Sequence, residues 1–203
     1  MKKISFLFCS LISANSMAQF SVTNENANLG NNNTITLERN KSFNLEGYGL
    51  KVGSFMPSMV LETANMDDFH TDKNEGKIRI YNVLASVDTP VCVQQASELV
   101  KYVKDNHEQL KDIEVLAISA DTSFAQQRFL KEQGLNGNIK FISDSIKHDF
   151  GINTGTQIKE LSLLARSIIV VGKDNRIIYI QRVPELTTLP DLEKAVKFAQ
   201  SKV

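Results

Sequence analysis

The chain has 203 residues, enough for one domain with a substantial core, and an ordinary globular composition. Its 23 Lys and Arg balance its 23 Asp and Glu, so no net field directs it to nucleic acid, an acidic membrane surface or a charged polymer. Partners have to be read from individual sites.

Met1-Lys2-Lys3 followed by Ile4 to Ala14 forms a short basic region and an apolar region, and Ser16-Met17-Ala18 supplies small residues where a signal peptidase reads. Cleavage after Ala18 is expected, so residues 1–18 are read as a signal peptide and the mature protein as exported, periplasmic and soluble. The apolar run is too short to span a bilayer, and no later stretch is long enough. A lipid anchor at Cys9 is the alternative, but Cys9 follows Phe6-Leu7-Phe8 rather than small residues. With the signal removed, Cys92 is the one cysteine left and no intramolecular disulfide is possible. An idle thiol is a liability in an oxidising compartment, so Cys92 calls for a use.

Residues 19–33 are rich in Asn and poor in apolar side chains, which predicts a flexible leading segment. Thr34 to Leu37 and Ser42 to Leu45 each alternate polar and apolar residues around Glu38 to Lys41, a β-hairpin signal. Gly47, Gly49, Gly53 and Pro57 punctuate a loop, and Met59 to Leu61 reads as a short strand before the polar stretch Asp67 to Gly76. Ile78 to Ala85 is a buried strand, Pro90 to Leu110 a helix with Ala96, Leu99, Val100 and Val103 on one face, and Ile113 to Ser119 the next strand, which together make a βαβ unit. A helix over Ser123 to Gly134, a strand over Ile139 to Ile142 and a weakly patterned segment to Leu164 follow. Ser167 to Val171 and Arg176 to Val183 flank the turn Gly172-Lys173-Asp174-Asn175, an antiparallel hairpin. A helix over Leu189 to Ser201 ends the chain. The order predicts an α/β domain over residues 34–203, with a mixed central sheet flanked by helices and an N-terminal β-hairpin.

Asp88-Thr89-Pro90-Val91-Cys92 stands where the first strand of the βαβ unit gives way to its helix. Thr89 is a good N-cap and Pro90 suits the first helical position, where its missing N–H has no intrahelical partner anyway. Cys92 then lies in the first turn, where unpaired amides and the helix dipole favour a thiolate. The alternative is a small buried hydrophobe that happens to start a helix. On a sheet of this kind reactive groups collect at the C-terminal ends of parallel strands, and the layout is thioredoxin-like, but no Cys-x-x-Cys pair is present. His70, His107 and His148 form no ligand-spaced cluster, and there is no Gly-rich phosphate loop, so neither a metal nor a cofactor is expected.

Val87-Asp88-Thr89-Pro90-Val91-Cys92 resembles the active-site segment of the thiol peroxidases, the Tpx group of the peroxiredoxins. Ala117 to Asp121, Phe124 to Phe129, Leu164 to Val171, Pro184 to Thr188 and Leu50 to Gly53 extend the resemblance from about Thr34 to the C-terminus, in the family's order and spacing. The resemblance implies a thioredoxin-like peroxiredoxin fold and a homodimer. It implies that Cys92 attacks the O–O bond of a hydroperoxide and becomes a sulfenic acid, that Thr89 donates a hydrogen bond to the peroxide, and that Arg166 stabilises the thiolate and the charge moving onto oxygen. Two positions depart from the pattern: Ala85 stands where the family has a proline, and Leu130 where it has its resolving cysteine. A one-cysteine cycle is therefore expected, completed by an external thiol or reductant protein or by joining of two subunits through Cys92. The competing readings are a catalytically weak descendant serving as a binding or chaperone-like module, and a thiol-disulfide oxidoreductase, which the absent second cysteine disfavours.

Overall fold

The computed structural model describes residues 20–73, 76–135 and 139–203, so the expected signal peptide at 1–18 lies outside the described residues. From residue 20 on, the leading segment expected to be flexible makes defined contacts along the body. Val22–Thr23 (β1) pairs in parallel with Leu189 and Pro190. Asn26 Oδ1 accepts from Arg182 N at 2.9 Å while its Nδ2 donates to Ile180 O at 3.1 Å. Farther on, Asn33 Nδ2 donates to the Leu29 and Gly30 carbonyls. A segment too poor in apolar residues to form a core is held by amide side chains bonding to backbone, an effect that low hydrophobicity does not register.

The N-terminal hairpin forms as expected, with Thr34–Leu37 (β2) antiparallel to Lys41–Glu46 (β3) and Ile35, Phe43 and Leu45 buried. Val60–Thr63 (β4) pairs with Asp68–His70 (β5), a strand missed within the polar stretch because Phe69 is its one buried apolar residue. Next come Ile78–Val83 (β6), buried along its whole length, Pro90–Asp105 (α1) and Ile113–Ser119 (β7), with β6 and β7 parallel as a βαβ unit requires. The helix expected to reach Leu110 ends at Asp105, where Asn106 folds its side chain back on Tyr102 O and a 3-10 turn carries the chain on.

The remaining elements are Ser123–Glu132 (α2), Lys140–Ser143 (β8), Asp149–Thr154 (α3), Gln157–Ile158 (β9), Leu163–Leu164 (β10), Ser167–Val171 (β11), Ile177–Arg182 (β12), Leu189–Pro190 (β13) and Leu192–Gln200 (α4). The last helix starts three residues later than expected. Leu189 and Pro190 are spent on β1, and Asp191 caps the helix by accepting from Lys194 N at 2.9 Å.

The seven-stranded sheet has the order β12-β11-β6-β7-β8-β4-β5, with β6, β7 and β8 parallel and the other pairings antiparallel. Alternation along β6 sends Ile78 and Ile80 to the face covered by α1, α2 and α4, and Tyr81 and Val83 to the face that receives Phe150 of α3. This is the mixed α/β sheet, helix-covered on both faces, that the sequence pattern predicts. The N-terminal hairpin lies in a separate small sheet with β9 and β10. Among the described residues, no helix is long and apolar enough to cross a membrane. The edge that matters is where β6 ends and α1 begins.

Candidate active site

Thr89 leaves the loop in an extended conformation and turns the chain into α1. Its carbonyl accepts from the amides of Cys92 and Val93, both at 3.0 Å. Its hydroxyl accepts a longer bond from Cys92 N at 3.4 Å and donates to Ser86 O at 3.3 Å. The N-cap is therefore as predicted, and it places the Cys92 side chain inward with no exposed surface.

Of the two donors that reach the sulfur, Arg166 was expected and Ser86 N was not. Cys92's own amide is occupied by Thr89, so the helix end does not supply the bonds. Cys92 Sγ accepts instead from Ser86 N at 3.4 Å, in the preceding loop, and from Arg166 Nη1 at 3.3 Å, across the sheet. Asp121, just after β7, fixes that loop: Oδ1 accepts from Ser86 Oγ and Oδ2 from Val87 N, each at 2.8 Å. Asp88 meets Arg128 of α2 at 2.9 Å, but both side chains are more than half exposed, and such pairs contribute little.

Arg166 is 1 % exposed, and its guanidinium must find compensation inside the protein. Nε and Nη2 both donate to Leu186 O, at 3.3 and 3.2 Å. Nη1 donates to Gln95 Oε1 as well as to the sulfur. Gln95 in turn donates through Nε2 to Asn82 Oδ1 at 2.6 Å, extending a buried polar chain from the sulfur to β6. Of these acceptors on Arg166, among the described residues, only Cys92 Sγ can carry a negative charge.

Of the three site residues expected from sequence, Arg166 thus reaches Cys92 Sγ and Thr89 caps the Cys92 amide. Gln95, Ser86, Asp121 and the Leu186 carbonyl were not anticipated. Gln95 had a signal, since three residues after Cys92 lies on the same helix face; Asp121 and Leu186 lie in segments that carry the resemblance, but their roles depend on which loops the sheet brings together. Ala85 is buried beside the site, and Leu130 lies half-buried against the core. Among the described residues, Cys92 has a free thiol, and no group of three or more His, Cys, Asp or Glu side chains could hold a metal ion.

An open groove of about 860 Å³ runs past Thr89 and Pro90, walled by Val87, Val93, Phe129 and Phe20. Phe20 comes from the leading segment and is held there by a reciprocal pair: its amide donates to Gln94 Oε1 at 2.8 Å and its carbonyl accepts from Gln94 Nε2 at 3.1 Å.

The Redoxin family matches residues 51–196. A thiol peroxidase of Clostridium acetobutylicum is 33% identical over 163 residues, covering 80% of this chain and 96% of its own length. One from Bacillus subtilis is 33% identical over 159 residues, 78% of this chain and 92% of its own. Among solved structures, a peroxiredoxin-like protein from Aquifex aeolicus aligns with a TM-score of 0.74 at 26% identity, covering 84% of this chain and 97% of that one. A thiol peroxidase from Chromobacterium violaceum, at 19% identity, shares the fold with a TM-score of 0.70 over 84% of this chain and 97% of its own.

Proposed function

The chain belongs to the Redoxin family and, within it, to the thiol peroxidase group of the peroxiredoxins, and from that membership we propose a one-cysteine peroxidase that reduces hydrogen peroxide and organic hydroperoxides through a sulfenic acid at Cys92. The observation that carries this reading is the pair of donors on Cys92 Sγ, Arg166 Nη1 at 3.3 Å and Ser86 N at 3.4 Å.

The thiolate attacks the terminal peroxide oxygen, an S–O bond forms as the O–O bond breaks, and the electron pair leaves on the second oxygen. That oxygen takes a proton and departs as water or an alcohol, leaving Cys92 as S–OH. Arg166 offers donors to the oxygens on which charge develops, and the Thr89 hydroxyl, turned from Ser86 O, supplies another. Forming the thiolate explains only part of a fast reaction, because a less basic sulfur is also a weaker nucleophile. Orientation and transition-state charge supply the rest.

Leu130 stands where the family's resolving cysteine would be, so the sulfenic acid is released by an external thiol. A small-molecule thiol or a reductant protein attacks Cys92, expelling water, and a second thiol breaks the mixed disulfide. The mature protein, cleaved after Ala18, works in the periplasm as a homodimer. Support for export is the Met1 to Ala18 pattern, and for the dimer the family resemblance.

Mass spectrometry of the mature protein after one equivalent of hydrogen peroxide or cumene hydroperoxide, with a dimedone trap and a Cys92→Ser control, tests the chemistry. Rapid labelling confined to Cys92 is expected. Labelling no faster than that of a free thiol removes the catalytic claim. Amino-terminal sequencing of the protein from a periplasmic fraction tests the export.

A further inference from the structure

Two nitrogens of Arg166 rest on one backbone carbonyl, Leu186 O, so the position of that carbonyl decides where Nη1 meets the sulfur. Leu186 lies in the loop from Pro184 to Thr188, between β12 and β13. What pins this loop is the side chain of the preceding residue, Glu185, which points into the N-terminal hairpin. Glu185 Oε1 accepts from Glu38 N at 2.9 Å, Thr187 N at 3.0 Å and Thr187 Oγ1 at 2.8 Å. Its Oε2 accepts from Thr36 Oγ1 at 2.6 Å and Arg39 N at 3.0 Å.

Glu38 and Arg39 have φ of 51° and 56°, two successive left-handed residues without a glycine. Backbone of this kind is disfavoured for such residues, and it turns consecutive amides towards one point, a cradle for an anion. Glu185 occupies that cradle. Burial opposes its charge, but Thr36, Thr187 and the Arg39 amide overcome the cost and hold its carboxyl below the usual value. The loop is tied on either side as well, Thr36 N donating to Pro184 O at 2.9 Å and Leu186 N to Thr36 O at 2.8 Å.

The geometry points to Glu185 as a positioning residue for peroxide reduction, setting the Arg166 guanidinium against Cys92 through the Leu186 carbonyl. The hairpin remote from the reacting sulfur is on this view part of the site's support. The inference rests on the roles of Cys92 and Arg166 proposed above. At 3.3 Å the Nη1 to Sγ contact has little slack, and an orientation error of this scale is costly: misplacement by about 1 Å can cost ~100-fold in rate.

Glu185→Gln keeps the size but sets an NH₂ against amide donors. Its effect is read as the rate of Cys92 oxidation by hydrogen peroxide beside the rate of alkylation by iodoacetamide, in the wild-type and Arg166→Ala backgrounds. The expected result is peroxide oxidation slowed by ~10- to 100-fold and alkylation far less, with no further slowing of oxidation once Arg166 is absent. A residue that merely holds the hairpin slows both reactions alike, or remains costly in the Arg166→Ala background, and either result overturns the inference. Thr36→Val, which removes one donor and leaves the carboxylate, gives the same pattern at smaller size; a folded Thr36→Val protein with an unchanged peroxide rate, where Glu185→Gln does not fold, overturns it too. A wild type no faster than a free thiol removes the function itself, whereas a fast wild type with unaltered variants removes this inference alone.

Discussion

Arg166 Nη1 and Cys92 Sγ stand 3.3 Å apart although 74 positions separate them in sequence. The contact joins the start of α1 to the residue before β11, and both neighbour the same strand, β6. It exists because β11 pairs antiparallel with β6, setting Ser167 opposite Val83. That register brings the guanidinium to the point where β6 releases the cysteine loop.

The first prediction concerns the shape of this cation. Arg166→Lys keeps a positive charge, but a single ammonium cannot span Leu186 O, Gln95 Oε1 and Cys92 Sγ as the planar fork does. The expected loss in the rate of Cys92 oxidation is ~100- to 1,000-fold, the size found when a preorganised donor is removed. Stopped-flow measurement with hydrogen peroxide reads it, and a rate within threefold of wild type shows that charge alone suffices.

Thr89 has two functions that substitution separates. Thr89→Ser keeps the hydroxyl and is expected to retain both capping and most activity. Thr89→Val removes the oxygen that accepts from Cys92 N, and because that bond is 3.4 Å long the stability loss in urea unfolding is expected near the low end for a cap, about 0.5 kcal/mol. Peroxide oxidation is expected to slow by ~10-fold or more, since the proposed mechanism uses the same hydroxyl as a donor to the peroxide. Equal rates for the Ser and Val variants separate Thr89 from the chemistry.

The start of α1 was legible because capping is local: Thr89, Pro90 and Cys92 are consecutive in the logic of a helix end. The βαβ unit and both hairpins were legible through periodicity. Arg166 was reached through family resemblance, since an arginine before an apolar run has no local meaning, and Glu185 and Asp121 escaped because their partners come from distant loops. The sulfur's hydrogen bonds were legible only in part: the resemblance named Arg166, but not Ser86 N. A helix N-terminus offers amides in general, but here Thr89 takes the one on Cys92, and Ser86 N, oriented by Asp121, serves the sulfur. Periodicity likewise had no means of detecting a leader held by asparagines.

Asp144 gives a prediction in pH. Burial pushes its carboxyl up to about 6, and the amides of Gly151 and Phe150, both of which donate to it at 2.8 Å, together with His148 offset only part of that. The native state therefore binds this proton more tightly than the unfolded chain, whose ordinary value is 3.8. The group's stabilising contribution is full below about pH 4 and is lost as pH rises through about 6, with a slope of at most about 1.4 kcal/mol per pH unit. Asp144→Asn loses a backbone hydrogen bond at every pH but cannot titrate. In urea unfolding, the stability advantage of wild type over the variant is expected to shrink between pH 4 and 6 and to stay level above 7. An advantage that grows over that range contradicts the raised value.

The last prediction places a cysteine at position 130. Leu130 lies on α2, half-buried against the same core that holds α1, and α2 neighbours the cysteine loop, Arg128 meeting Asp88 at 2.9 Å. Cys92 has no exposed surface, so any thiol that reaches its sulfenic acid requires the first turn of α1 to open. Opening would break the Thr89 cap, the bonds from Ser86 N and Arg166 Nη1 to the sulfur, and the Phe20–Gln94 pair one turn along. A thiol at position 130 has a high effective concentration and competes well with one in solution. Leu130→Cys, treated with one equivalent of peroxide, is expected to lose both thiols with little dimedone adduct and to give a monomeric disulfide between positions 92 and 130 on non-reducing peptide mapping. Wild type under the same conditions is expected to accumulate the dimedone adduct and, with excess peroxide, sulfinic acid at Cys92. If Leu130→Cys accumulates the adduct at the wild-type rate, α1 does not open towards α2, and the absence of a cysteine at position 130 is not what makes the cycle depend on an external thiol.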